Sequence, residues 1–260
     1  MKNSIKFLTY LILVGLMSTL YSNNLNAQDV LSVEEMNSVY KKELTLNKKV
    51  QSYTPLREAD VMWSRKIWRE IDLREKCVLE FGPGDMRHHR FWNSRPEKYI
   101  IADIHEDMMN AAVNVFRKDK INFESYLIKR NEKLALAKDS VDVIVSFYSL
   151  EHLYPLANYL EDMKYYLKPN GIIVGAIPAE GGLLWALGRF FTSRRWLHKN
   201  TNIDYDKLIC WEHPNYADFI INQLDQNFHR VFLRSWPFRF LPILDFNLTL
   251  RFCYKKNSNK

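Results

Sequence analysis

From Lys76 onward the sequence alternates short apolar runs with amphipathic segments, and this rhythm constrains the fold more than any other feature. Apolar runs fall at 77–81, 98–103, 121–128, 141–147 and 171–177, separated by helix-like stretches near 87–94, at 106–118 and at 155–167. Strands that read as near-continuous apolar runs are buried on both faces, which requires helices above and below a parallel sheet. A helix at 215–226 follows, then strands at 228–236 and 247–254 with only a Pro-rich turn between them. Strands joined without a crossover helix pair antiparallel. The expected fold is therefore α/β, a seven-stranded, mostly parallel sheet with a C-terminal antiparallel hairpin. At 260 residues and 47% hydrophobic composition, the chain supports one elaborated domain, spanning 76–260, and one principal site.

The N-terminal part has a different texture. Residues 1–28 place Lys2 and Lys6 before an apolar run, Phe7 to Tyr21, and end in a polar stretch closing on Asn26-Ala27-Gln28, the layout of a secretory signal. The run is shorter than the roughly 20 residues of a membrane span. Three readings stand: cleavage after Ala27 with export, a retained segment that holds a cytoplasmic domain to a membrane through 7–21, or a translation start further on, for instance at Met36. Two helical stretches, 31–44 and 57–71, would make an N-terminal cap within 29–75, the second with the apolar stripe Val61, Trp63, Ile67, Trp68 and Ile71. Cys77, Cys210 and Cys253 are odd in number and lack any CxxC or Cys/His spacing, so neither a disulfide framework nor a metal site is expected.

The segment Cys77-Val78-Leu79-Glu80-Phe81-Gly82-Pro83-Gly84-Asp85 runs a buried strand into a loop whose glycines let backbone amides approach a ligand. Asp103 then ends the next strand about 20 residues on, where a doubly wound fold hydrogen-bonds ribose hydroxyls. Together they point to an adenosine ligand. A dinucleotide fingerprint needs a third glycine at position 87, which is Arg, and Glu80 would repel a pyrophosphate. The same carboxylate suits a ligand carrying an ammonium and a sulfonium. S-adenosylmethionine is thus the expected cofactor, and an NAD-dependent oxidoreductase is the rival on a similar sheet.

With these residues in place, the chain resembles the class I S-adenosylmethionine-dependent methyltransferases, a Rossmann-like family, especially the broad branch that includes ubiquinone and small-molecule methyltransferases. The resemblance covers most of 76–255 through VLEFGPG, Asp103, DSVDVIVSFYSLEHL at 139–153, YYLKPNGIIVGAIP at 165–178 and the terminal strand pair. It implies that Glu80, Gly82 and Gly84 line the methionine part of the cofactor, that Asp103 with Ile104 beside it takes the ribose, and that Phe147, Tyr148 and Ser149 floor the site. Two departures stand out. Met86 occupies the position of the usual third loop glycine, and Arg130, Asn131 and Glu132 occupy the stretch where the family commonly places an acid on the adenine. Asn131 or Glu132 would replace that contact.

Methyl transfer is an in-line displacement, so positioning supplies much of the catalysis and a base serves a weakly acidic acceptor. His152, at the carboxyl edge of the fourth strand, and His213, in the Trp211-Glu212-His213-Pro214 cluster, are the candidate bases. Both positions also suit helix capping or packing. Residues 180–211 interrupt the βα rhythm and are expected to form a lid. Its helix, 181–192, is apolar nearly all round and expected to pack on the sheet edge, with Gly181 and Gly182 as a hinge. The charge of +7, the cluster Arg87, His88, His89 and Arg90, and the lid's Arg189, Arg194, Arg195, His198 and Lys199 suit an anionic acceptor. No RNA-binding appendage accompanies them, so nucleic acid is not the expected partner. The expected activity is methylation, at oxygen, of a small-molecule, glycan-precursor or lipid-linked acceptor; the rival of another class is a binding protein that retains the fold without catalysis.

Overall fold

A computed structural model describes residues 65–84, 86–129, 132–200 and 204–257. Its seven strands are β1 (Cys77–Phe81), β2 (Lys98–Asp103), β3 (Phe123–Leu127), β4 (Val141–Phe147), β5 (Leu167–Pro178), β6 (His229–Trp236) and β7 (Thr249–Lys255), in the order β3-β2-β1-β4-β5-β7-β6. The first five run parallel, while β7 inserts antiparallel between β5 and β6. Because the chain winds from β1 towards β2 on one side and restarts at β4 on the other, the order reverses between β1 and β4. The carboxyl ends of strands at such a reversal open a crevice in which ligands bind.

Both faces of the sheet are covered, which explains the unbroken apolar strands. Val78, Tyr99 and Ile101 point to one layer, and Leu79 and Ile100, one residue out of phase, point to the other. Helix α1 (Glu106–Lys118) buries Met109, Ala112, Val113 and Phe116, one face of a 3.6-residue period, against the first layer. Glu106 and Asp107 in its first turn and Arg117 and Lys118 in its last complement the helix dipole. Helices α2 (Leu156–Tyr166) and α6 (Ala217–Asn227) cover the opposite face.

Three expectations need adjustment, and a fourth, the N-terminal cap, falls mostly outside the described residues. The segment near 87–94 is only a 3-10 turn, Arg87–Phe91, because Met86 takes the left-handed backbone at φ 54° immediately before it. Strand β5 begins earlier than expected: Leu167 already pairs with Val141, and the register then shifts so that Ile172 pairs with Val143. Of the N-terminal cap only its end is described, a 3-10 turn at Arg65–Arg69 with Ile67, Trp68 and Ile71 buried; the stretch 31–44 and the leader lie outside the described residues. The interruption after β5 comprises α3 (Leu183–Arg189), a π turn (Phe190–Arg194), α4 (Arg195–Asn200) and α5 (Tyr205–Glu212). Instead of packing on the sheet edge, α3 buries none of its residues and rests its first turn on the β6–β7 loop, where the Leu183 amide donates to Asp245 Oδ1 at 3.1 Å.

Candidate active site

The β1 loop and the turn after it build one wall of the crevice. Gly82 has φ +68°, and a Cβ there would meet the Ser149 Cβ at 3.0 Å, so the loop lies directly against the end of β4. Gly84 has φ +55° and open space where a Cβ would project. Met86, at the third-glycine position, adopts φ 54° itself and buries its side chain wholly. A bulky residue there does the backbone's work at a strain of about 1 kcal/mol or more, compensated by the buried thioether.

Glu80 is fully buried at the end of β1. Its Oε1 lies 2.8 Å from His88 Nε2, and its Oε2 accepts from the Tyr99 hydroxyl at 2.9 Å. His88 stacks on Trp68, with centroids 5.5 Å apart, and contacts Phe147 at 5.3 Å. Its Nδ1 is buried without a hydrogen-bond partner. Next door, Asp103 is buried at the end of β2 and accepts the His105 amide at 2.8 Å. Burial raises its carboxyl to about 6, against the opposing pull of the His105 and Ile104 amides. A half-compensated acid at this edge suits hydroxyl donors, which would favour its charged form.

The floor is β4 and its exit. Tyr148 sits in the left-handed region at φ 54°, with its amide donating to the Ala176 carbonyl at 2.8 Å. Ser149 and Ser146 share a hydroxyl hydrogen bond of 2.5 Å. Across this floor, at the ends of β4 and β5, lies a second polar cluster. Glu180 is buried two residues beyond β5 and binds both Arg189 of α3 and Nδ1 of His213. Burial pushes the Glu180 carboxyl up, but His213 and Arg189 outweigh it and hold it below the usual carboxylate range. An ionised carboxylate only accepts, so His213 carries its proton on Nδ1 and keeps Nε2 as the basic nitrogen. His152 is fixed likewise: its Nδ1 donates to the Glu212 carbonyl at 2.6 Å, and its ring stands edge-on to His213 at 4.6 Å. Glu151, beside them, is buried with Oε2 unpartnered, and burial, reinforced by Glu180, raises it to about 8.

The structure thus places Glu80, Gly82, Gly84, Asp103, Ile104, Phe147, Tyr148 and Ser149 at or just beyond the carboxyl ends of β1, β2 and β4, and His152 beside His213. Glu132 is exposed and closes its own turn, accepting the Lys129 amide at 2.7 Å, while Asn131 lies outside the described residues. The cluster after the glycine loop does not face an acceptor as a unit. His88 turns onto Glu80, and His89 binds the Met86 carbonyl and, at 2.6 Å, Asp119. Sequence reasoning missed Glu180, and it missed that His88 and Arg189, named there only as contacts to an anionic acceptor, turn onto Glu80 and Glu180. Glu180 was findable, because it is an acid just beyond a strand's carboxyl end, the same signal that exposes Asp103.

Comparison with known proteins agrees with this geometry. Residues 79–175 match the model of a family described as a methyltransferase domain. No curated protein matches the sequence significantly. Among solved structures, the N-methyltransferase NodS from Bradyrhizobium japonicum, in complex with S-adenosyl-L-homocysteine, is similar at 14% identity and TM-score 0.53, over 78% of this chain and 88% of that one. A putative methyltransferase from Haloferax volcanii, in complex with the activator Trm112, is similar at 15% identity and TM-score 0.53, over 77% and 92%. The [4+2]-cyclase SpnF aligns at 11% identity and TM-score 0.55, over 78% and 83%. Residues 79–175 thus match a methyltransferase domain, on the fold shared with S-adenosylmethionine-dependent methyltransferases. S-adenosylmethionine is its cofactor, and the open space at Gly84 together with the half-compensated Asp103 fits that ligand.

Proposed function

We propose that this chain methylates a hydroxyl of a small-molecule or lipid-linked acceptor. The observation that carries the reading is the Glu180–His213 pair across the floor from the glycine loop. It orients the imidazole through Nδ1, which leaves Nε2 as the nitrogen that takes a proton from the acceptor, and Glu180 stabilises the imidazolium that results. The bound cofactor supplies a methyl group on a cationic sulfur, open to in-line attack. Asp103 holds the ribose hydroxyls, with Ile104 beside the adenine and Asn131 or Glu132 at its edge. Gly82 and Gly84 admit the methionine part, and Phe147, Tyr148 and Ser149 support it from below.

Glu80 works as a positioning residue in this scheme. Its two oxygens are held by His88 and Tyr99, so it sets the turn after the loop and lends a negative field to a cationic ligand. Residues 180–211 act as a lid, with α3 bringing Arg189 onto Glu180. His152, whose imidazole burial and His213 lower to about 3, supports the acceptor and is the weaker candidate base. The three free cysteines suit a reducing compartment, so we place the reaction on the cytoplasmic side of any membrane the chain meets. Among the described residues no helix is long and apolar enough to cross one.

The test is transfer of an isotopically labelled methyl group from S-adenosylmethionine into fractionated small molecules and lipids of the native cell. Label should enter a hydroxylated acceptor and survive mild alkali as an ether. Absence of label from every fraction, with cofactor bound, would refute methyl transfer and leave a binding protein.

A further inference from the structure

The loop between β6 and β7 presents apolar side chains to solvent in an unusual concentration. Phe238, Phe240, Leu241, Ile243 and Phe246 are all exposed, Phe240 completely. The loop is nevertheless held in one shape. Asn247, wholly buried, accepts the Phe238 amide at 3.0 Å and donates to the carbonyls of Leu241 and Ile243 at 2.8 Å each. A braced loop displays these side chains instead of letting them collapse onto the core.

The apolar surface continues onto α3. Leu183, exposed, is tied to the loop through Asp245, and Phe190 follows it by two helical turns on the same face. Phe190 and Phe191 are both exposed, with rings 5.2 Å apart. Soluble monomers seldom expose contiguous apolar surface on this scale without a partner.

The charges around it select the partner. Arg239 sits between Phe238 and Phe240, and Arg195, His198 and Lys199 of α4 are exposed just beyond Phe191. The Arg194 guanidinium lies 5.9 Å over the Phe190 ring. Of the acids nearby, Asp206 pairs with Arg194, while Asp204 caps α5 and Asp245 accepts the Leu183 amide, and neither of these two pairs with a cation among the described residues. Aromatic wedges flanked by Arg195, Lys199 and Arg239, which have no ion-pair partner among the described residues, on a chain of charge +7, match an anionic bilayer surface, where apolar insertion and headgroup attraction add. We infer that the Phe238–Phe246 loop and the Leu183–Phe191 face dock the protein peripherally on anionic phospholipid. This surface stands independently of the reaction and of the run at 7–21.

Vesicle flotation of the full chain tests the inference, with phosphatidylcholine vesicles made with and without phosphatidylglycerol. The double variant F238S/F240S should bind anionic vesicles at least about tenfold more weakly than the unaltered protein. R239Q should lose about fivefold on anionic vesicles and nothing on neutral ones. Because residues 7–21 are present throughout, amide hydrogen exchange on the same samples locates the contact. Exchange across 238–246 and 190–191 should slow when anionic vesicles are added. Unchanged exchange there, or protection that grows with protein concentration in the absence of lipid, would overturn it; the latter would assign the face to a second copy of the chain.

Discussion

The two halves of the sheet's carboxyl edge handle buried charge in the same manner but for different ends. On the β1–β2 side, Glu80 is compensated by His88 and Tyr99, while Asp103 keeps a carboxyl raised to about 6 by burial. On the β4–β5 side, Glu180 is compensated by His213 and Arg189, while Glu151 is raised to about 8 and leaves Oε2 unpartnered. Each half therefore joins one acid paired to side chains, which fixes geometry, to one acid that burial raises. Burying an acid is costly to folding, and in the proposed reading these two acids stand where cofactor and acceptor would enter.

Breaking the acceptor half should have the largest effect. His213→Gln is expected to lower the rate of methyl transfer by about 10²–10⁴-fold, the usual contribution of a positioned base, while cofactor affinity stays unchanged. Single-turnover transfer and calorimetric titration on one preparation would separate the two. Equal losses in both would merge the halves that the account keeps distinct.

Breaking the cofactor half should act on binding. Asp103→Ala removes the acceptor for two hydroxyl donors and is expected to weaken S-adenosylmethionine by about 100-fold, or about 3 kcal/mol. Calorimetry reads this directly, and an affinity within a fewfold of the unaltered protein would remove Asp103 from the site.

Glu151 sharpens the contrast without any ligand. Its carboxyl is raised from 4.5 to about 8 in the folded chain, so between these values the folded state holds a proton that the unfolded state has released. The stability it contributes is full below pH 4.5 and is lost as pH rises through about 8, with a slope of up to about 1.4 kcal/mol per pH unit. Glu151→Gln mimics the protonated form and should flatten that part of the curve in chemical unfolding from pH 5 to 9. An unaltered slope would mean that Glu151 is ionised in the folded protein. The smallest effect belongs to Gly84→Ala, whose backbone at φ +55° makes an added Cβ cost about 1 kcal/mol of stability. Its Cβ projects into open space, so a loss of cofactor affinity beyond that amount would locate the ligand against the loop.

The β1–β2 half was legible as a candidate site in the sequence because its residues are local. Two glycines at a strand end and an acid closing the next strand reveal themselves by spacing, and the sheet follows from the apolar rhythm that both covered faces impose. The acceptor half was only half legible. His213 drew attention as a histidine before a helix, but its partner Glu180 lies 33 residues earlier, and only the packing of α3 brings Arg189 onto the same carboxylate. The Arg87–Arg90 cluster misled for a related reason. Charge in a sequence suggests a solvent-facing surface, whereas His88 is drawn inward by the Glu80 carboxylate and the Trp68 ring. Met86 shows a local rule overridden, since core packing compensates a left-handed residue where glycine would be ordinary.

The central claim is that the β1–β2 half binds S-adenosylmethionine through Asp103. Calorimetric titration of the full chain across pH 5 to 8 tests it most directly. One saturable site with a dissociation constant below about 1 mM is expected, and affinity should fall as pH drops through about 6 and Asp103 takes up a proton. That fall should approach tenfold per pH unit and vanish in Asp103→Asn. Absence of binding at millimolar cofactor would contradict the account, as would binding whose pH profile is the same in Asp103→Asn as in the unaltered protein.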